Sequence, residues 1–193
     1  MYFAEVIDDN GVDQRSISFE KSDREYVQHD VYVAKEGIQE YKPSFTWHGF
    51  RYAEIRGITD EQATKETLTF IPTHSAIGKK CDFDCDNETI NKLVEITLRS
   101  DESNFMYYPY DCPHREKNGW TADASLSAEQ MLYTFDAYAS LKQWLLCIRK
   151  AQRKDGALPG IIPTAGWGFQ FGNGPAWDSV LIELPYQLYR FYG

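Results

Sequence analysis

Five side chains able to do chemistry fall within one short stretch of this sequence. Asp111, Arg115, Glu116, Trp120 and Asp123 lie in the run NFMYYPYDCPHREKNGWTADA, residues 104–124. Carboxylates held near one guanidinium can have their proton affinities pushed apart. One carboxyl kept protonated can donate a proton, while another stays ionised and orients a substrate. A linking segment of this length is uncommon unless it works. The same residues also fit a solvated charged loop tied by an Arg–carboxylate pair, and chemistry alone leaves both readings open.

A second segment, GWGFQFGNGPAWD at residues 166–178, combines glycines with Trp167 and Trp177. Glycine lets backbone approach a ligand closely, and aromatic faces give a sugar or base something to stack on. Local core packing by two tryptophans is the alternative.

Composition narrows the ligand. The chain has 193 residues, with 20 Lys+Arg against 29 Asp+Glu and a net charge of −9. Phosphate backbones are bound through Lys and Arg, so nucleic acid is not expected as a partner. Aromatic content is 15%, with 5 Trp, 13 Tyr and 11 Phe, which points any exposed aromatic face toward a neutral ligand. Cys81 and Cys85 are spaced C-x3-C without a second short-spaced pair, and the four histidines are scattered. No metal site is therefore expected, and Cys81, Cys85, Cys112 and Cys147 read as thiols rather than a disulfide framework. No apolar run reaches the ~18 residues that span a bilayer, so no membrane partner is expected. The start MYFAEVIDDNGVDQ carries no signal-peptide pattern. The compartment stays open between cytoplasm and periplasm or secretion, as does the oligomeric state.

These candidate residues need elements to position them. Residues 1–74 read as strands and turns. SISFE, YVQHDVYVA, FTWHGFRYAEIRG and TLTFIPT are rich in β-branched and aromatic residues, with NGVD and KEGIQ as breaks between them. In HGFRYAEIRG both faces carry apolar groups, as in a sandwich strand. Residues 75–87 read as a linker, and from 88 to 193 the period becomes helical. Asp86 or Asn87 can cap a helix with Ile90, Leu93, Val94, Thr97 and Leu98 on one stripe. A second helix is expected from near Asp123, carrying Leu126, Met131, Phe135, Tyr138, Leu141, Leu145 and Ile148, with Arg149, Lys150 and Arg153 at its C-terminal end. Asp178 or Ser179 can cap a third, with Val180, Leu181, Leu184, Leu188 and Phe191 inside; Pro185 is expected to bend it outside the first turn.

The segment YDCPHREKNGWTADA resembles the signature of bacterial α-L-rhamnosidases, glycoside hydrolase family 78. FTWHGFRYAEIRG, DNETINKLVEITLRSDESNF, KDGALPGIIPT and PAWDSVLIELPYQLYRFYG extend the resemblance in the family's order over about residues 44–193. The resemblance implies a multidomain β plus α chain, in which the end of a β-sandwich domain is followed by the first helices of an incomplete (α/α)6 barrel. It implies an enzyme that removes terminal α-L-rhamnose from glycosides or polysaccharides with inversion, without metal or organic cofactor. The family's first acid falls on Asp111, its arginine on Arg115, its general acid on Glu116, its tryptophan on Trp120 and its last acid on Asp123. Family members place the proton donor five or six positions after the first acid. The sixth is Lys117, which cannot do that work, so Glu116 fits the shorter form. The glycine usual before the last acid is Ala122 here. A sugar-stacking tryptophan matches Trp177 best, with Trp167 as the other candidate, and Asp178 joins them among substrate-binding residues.

An inverting glycosidase also needs a second carboxylate, ~6.5–9.5 Å from the acid, to activate water. The family's base is a Glu far downstream, and neither Asp178 nor Glu183 stands in its context. The chain is therefore expected to be an internal or truncated piece, inactive alone. A non-catalytic rhamnose-binding remnant and another (α/α)6-barrel hydrolase are the competing readings.

Overall fold

The computed structural model describes residues 1–17, 28–164, 166–171 and 174–193. Its packing divides into two units, residues 1–73 with 113–115, and residues 74–112 with 116–193.

In the first unit, β1 (Tyr2–Ala4) pairs antiparallel with a strand at Tyr52–Glu54, in the register Tyr2↔Glu54 and Ala4↔Tyr52. Between them in sequence, β2 (Ile7–Asp8) and β3 (Gly11–Val12) make a hairpin in which Asp8 faces Gly11, so the NGVD break is the turn and return of this hairpin. The Tyr52–Glu54 strand is β4. Among the described residues it is the only ladder within FTWHGFRYAEIRG, whose expected strand is there three residues long. Phe3 and Ala4 are buried, and the Phe3 ring stacks on His48 at 4.1 Å and tilts against Phe50 at 4.8 Å.

Three expected strands differ. Gln14–Ile17 forms a 3-10 turn, so the first residues of SISFE are helical; residues 18–20 lie outside the described residues. In YVQHDVYVA, His29 makes an isolated bridge to Tyr2, and Asp30–Ala34 have no ladder partner among the described residues; residues 26 and 27 are not described. TLTFIPT pairs with no strand among the described residues. The alternation is present in both, but Val31, Val33 and Phe70 are exposed, Phe70 meeting only the edge of Phe50 among the described rings.

In the second unit, β5 (Gly78–Lys79) precedes α1 (Glu88–Ser103). The Asn87 side chain accepts from the N–H groups of Thr89 at 3.0 Å and Ile90 at 3.3 Å, which satisfies two orphan donors of the first turn. Of the expected stripe, Leu98 packs on the core, whereas Ile90 and Leu93 are exposed. After α1, β6 (Phe105–Met106) and β7 (Tyr108–Pro109) fold back on each other around Tyr107, whose φ is 69°.

The single long helix expected from Asp123 is two helices. α2 (Thr121–Thr134) and α3 (Tyr138–Ala151) are separated by β8 (Phe135–Asp136), which pairs with β5. Leu126, on the expected apolar stripe, is 87% exposed; the inward face of α2 is Ala124, Ala128, Met131 and Leu132. A one-turn α4 (Pro175–Asp178) then leads into α5 (Val180–Tyr192). Pro185 sits within α5, where its missing N–H leaves the Leu181 carbonyl without its helical donor. Both α2 and α3 pack on α5. Their shared core includes Leu132, Phe135, Leu141, Ile148 and Leu184, all fully buried, each worth ~1.5–3 kcal/mol of transfer free energy. No helix among the described residues is long and apolar enough to cross a membrane.

Candidate active site

The acid-bearing loop is a cross-linked turn in front of α2. The Asp111 N–H donates to the Asn118 carbonyl at 3.1 Å, and the Asn118 N–H donates back to Asp111 Oδ1 at 3.0 Å. Lys117 makes the return possible with a φ of 53°, in the left-handed region that few non-glycine residues adopt. The Cys112 thiol donates to Asp111 Oδ2 at 2.9 Å and accepts from the Glu116 N–H at 3.4 Å. Both oxygens of Asp111 are therefore held.

Glu116 is oriented by a different pair. The Trp120 indole Nε1–H donates to Glu116 Oε2 at 2.7 Å, and Asn118 Nδ2 donates to the same oxygen at 3.3 Å. Oε1 has no protein hydrogen bond among the described residues. Asp123, in the first turn of α2, has its carboxyl raised above the usual range, first by lost hydration and further by the nearby charges of Asp111 and Glu116. Burial also raises the Tyr108 phenol, with Asp111 adding to it. Asp123 thus senses the charges of Asp111 and Glu116.

Gly160 and Ile162, in KDGALPGIIPT, hold the backbone on both sides of Trp120. Gly119 accepts from the Ile162 N–H at 2.8 Å, and the Thr121 N–H donates to the Gly160 carbonyl at 2.9 Å. A Cβ on Gly119 would sit 2.0 Å from the Ile162 carbonyl oxygen, so only glycine permits this approach. Trp120 then stands edge-on to two rings, Trp167 at 5.7 Å and Trp177 at 6.3 Å between centroids. The Trp177 Nε1–H is buried without a hydrogen-bond partner among the described residues. Asp178 is exposed, and its Oδ2 accepts from the Gly174 N–H at 3.3 Å. Arg115 packs with the first unit, where its Nη2 donates to the Ser16 carbonyl at 2.9 Å.

The structure therefore brings together Asp111, Glu116, Trp120 and Asp123, with Trp167 and Trp177 around Trp120. A carboxyl oxygen open to a leaving group, beside further carboxylates and an aromatic wall, can protonate a glycosidic oxygen while hydroxyls are held. Among the described residues, no group of His, Cys, Asp or Glu is placed to hold a metal ion.

Comparison with known proteins assigns both units. The bacterial alpha-L-rhamnosidase six-hairpin glycosidase domain matches residues 79–193, and the bacterial alpha-L-rhamnosidase concanavalin-like domain matches residues 1–73. The chain belongs to the bacterial alpha-L-rhamnosidase family. An alpha-L-rhamnosidase of Streptomyces avermitilis is 34% identical over 167 residues, which is 85% of this chain and 16% of that protein. One from Alteromonas sp. is 36% identical over 162 residues, 83% of this chain and 17% of its own length. The solved alpha-L-rhamnosidase of Dictyoglumus thermophilum superimposes with a TM-score of 0.82 at 35% identity, covering 97% of this chain and 20% of that one. The Streptomyces avermitilis enzyme solved with L-rhamnose gives a TM-score of 0.57 at 31% identity, over 60% of this chain and 11% of that one. The chain thus spans about one-sixth of the length of these curated rhamnosidases.

Sequence reasoning missed two contributors to this rhamnosidase loop. Asn118 ties Asp111 to Glu116, and Cys112 uses its thiol on both sides of the turn. The signal for Asn118 was its place before Gly119, a pair that favours turns. Nothing in the spacing pointed to Cys112.

Proposed function

We propose that this chain supplies the acid half of an inverting α-L-rhamnosidase acting on terminal non-reducing α-L-rhamnose of glycosides or polysaccharides. Glu116 is the general acid, and its Oε1 protonates the departing oxygen. Asp111 and Asp123 hold sugar hydroxyls. Trp120, Trp167 and Trp177 wall the ring and its C6 methyl, Asp178 lies at the rim, and Arg115 belongs to the binding set through the loop that carries it. The base that activates water lies outside residues 1–193, and no metal or organic cofactor takes part. The barrel these helices join is the (α/α)6 barrel, with the β-sandwich portion ahead of it and the boundary within residues 75–87.

The observation that supports this reading is the 2.7 Å bond from Trp120 to one oxygen of Glu116, which leaves the other open beside Asp111 and Asp123. The unpartnered indole N–H of Trp177 supports a hydroxylated ligand, since a buried donor left unpaired costs ~1–3 kcal/mol.

The test has two parts. L-rhamnose added to the 193-residue chain should shift the indole signals of Trp120 and Trp177 at millimolar concentration, and D-glucose should not. In an active protein that contains this chain, proton NMR of the first-formed sugar should show the inverted anomer. Equal response to both sugars, or a retained anomer, would replace the reading by a less specific binder or a different hydrolase.

A further inference from the structure

We infer, resting on the reading of Glu116 as the general acid, that Asn118 is a positioning residue which fixes where the acid's proton sits. Its side-chain amide and the Trp120 indole together hold Glu116 Oε2 as an acceptor, and so confine the transferable proton to Oε1.

Asn118, Asp111, Glu116 and Trp120 all belong to the second unit. The Asn118 backbone serves two of the others. Its N–H donates to Asp111 Oδ1 at 3.0 Å, and its carbonyl accepts from the Asp111 N–H at 3.1 Å and from the Trp120 N–H at 2.8 Å. Any residue able to follow the turn can make those bonds. The side chain does something else. Its Nδ2 donates to Glu116 Oε2 at 3.3 Å, the oxygen that also receives the Trp120 Nε1–H at 2.7 Å. The amide has one orientation there, because its carbonyl oxygen turned toward an oxygen already accepting from Trp120 would set acceptor against acceptor.

A neutral carboxyl has one O–H oxygen and one carbonyl oxygen. Two N–H groups aimed at Oε2 make it the carbonyl oxygen, since a proton there would point at a donor. The proton is left to Oε1. In the transfer step the Oε1–H bond breaks and its electron pair stays on Glu116. An O–H bond forms on the departing glycosidic oxygen, which keeps the electron pair of the broken glycosidic C–O bond. Water adds to the anomeric carbon and gives its proton to the base outside residues 1–193. The charge left on Glu116 meets two donors already in place, an arrangement that costs no reorganisation at the moment of reaction. Asn118 acts through Oε2 and not on the departing oxygen, which makes it a positioning residue.

The test pairs two variants that keep the backbone bonds. Asn118→Leu has nearly the same size without a donor. Asn118→Asp keeps the shape and sets a carboxylate against Oε2. In an active protein that contains this chain, Asn118→Leu should lower kcat on natural rhamnosides roughly 10-fold, the low end for a hydrogen bond to a charged group, with KM little changed. Asn118→Asp should lose more, because a like charge replaces the donor. Both losses should shrink on an aryl rhamnoside with an activated leaving group, which needs less protonation. A merely structural role would not give that dependence on the leaving group. Glu116→Gln, run beside them, shows the dependence when the acid itself is removed. In the 193-residue chain, the Trp144 indole, which donates to the Ile162 carbonyl at 3.3 Å, reports by NMR whether the helical core survives each substitution. Losses equal on both substrate kinds in the Asn118 variants, with Glu116→Gln still dependent on the leaving group, overturn the assignment. Full activity of both variants overturns it too. Displaced Trp144 signals in both variants reduce Asn118 to general stability and also overturn it. Equal losses in Glu116→Gln itself mean that Glu116 is not the acid, and the site reading then fails on its own.

Discussion

The indole of Trp120 and the carboxylate of Glu116, four residues apart, are joined by a 2.7 Å hydrogen bond that occupies one carboxylate oxygen and leaves the other without a hydrogen-bond partner among the described residues. The tryptophan therefore has two jobs, a wall for a ring and a clamp on an acid. Trp120→Phe separates them, because it keeps an aromatic face and removes the donor. Loss of a hydrogen bond to a charged group is worth ~1.5–3 kcal/mol, or roughly 10–100-fold. In an active protein carrying this chain, Trp120→Phe should lower kcat by about that factor with little change in KM. A rise in KM with kcat intact would mean the clamp is irrelevant and only the wall matters.

Glu116→Gln should lower turnover on natural rhamnosides by roughly 10²–10⁴-fold, the usual worth of general acid catalysis. An aryl rhamnoside with an activated leaving group needs less protonation and should lose much less. Steady-state rates on the two substrate kinds decide the matter. Equal losses would assign Glu116 to something other than proton donation.

The candidate site was more legible in the sequence than the fold around it, for physical reasons. Asp111, Glu116, Trp120 and Asp123 are close in sequence, so one turn brings them together once Lys117 takes its left-handed conformation. The tie between Asp111 and Asn118 needed that conformation to be known first. The break between α2 and α3 was hidden because Met131, Phe135, Tyr138 and Leu141 keep helical spacing across it. Phe135 is buried by pairing with β5 instead of by continuing a helix, and no Gly or Pro marks the place. In the first unit β1 is three residues long, too short for periodicity to register, while residues 31–34 of the alternating YVQHDVYVA run are exposed. The anchoring of residues 113–115 by Gly49, Gln28 and Ser16 joins parts of the chain far apart in sequence, and no local pattern announces it.

Gly119→Ala should damage the site through the backbone. The added Cβ would lie 2.0 Å from the Ile162 carbonyl oxygen, a backbone atom that cannot swing aside. Overpacking of this kind costs about 1–3 kcal/mol, and it pushes apart the loop and the segment that hold Trp120. Gly78→Ala is the matched control, since a Cβ there meets nothing within 4 Å. Urea unfolding of both variants should give a clear loss for Gly119→Ala and a change within about 0.5 kcal/mol for Gly78→Ala. Equal stability of the two would show that the Gly119–Ile162 approach is not made as described.

Asp101 makes stability depend on pH beneath the same site. It lies near the C-terminal end of α1 and lines a cleft of about 150 Å³ together with Asn104, Asp111 and Asp123. Its Oδ2 is buried with no hydrogen-bond partner among the described residues. Burial pushes its carboxyl up from 3.8 to about 6, against a smaller opposing effect of a hydrogen bond from Gln130. The unfolded chain releases this proton near pH 3.8, whereas the folded chain holds it to about pH 6. Between those values the folded state binds more protons, so this group makes stability fall as pH rises, and the full penalty is present above about pH 6. Allowing for solvent that reaches the group, the penalty is about 1–2 kcal/mol. Asp101→Asn keeps an acceptor for Gln130 and removes the titration. Unfolding measured from pH 4 to 7.5 should find the variant's advantage growing through that window and level above it. Parallel profiles for the two proteins would show that Asp101 is already ionised in the folded chain at the acid end.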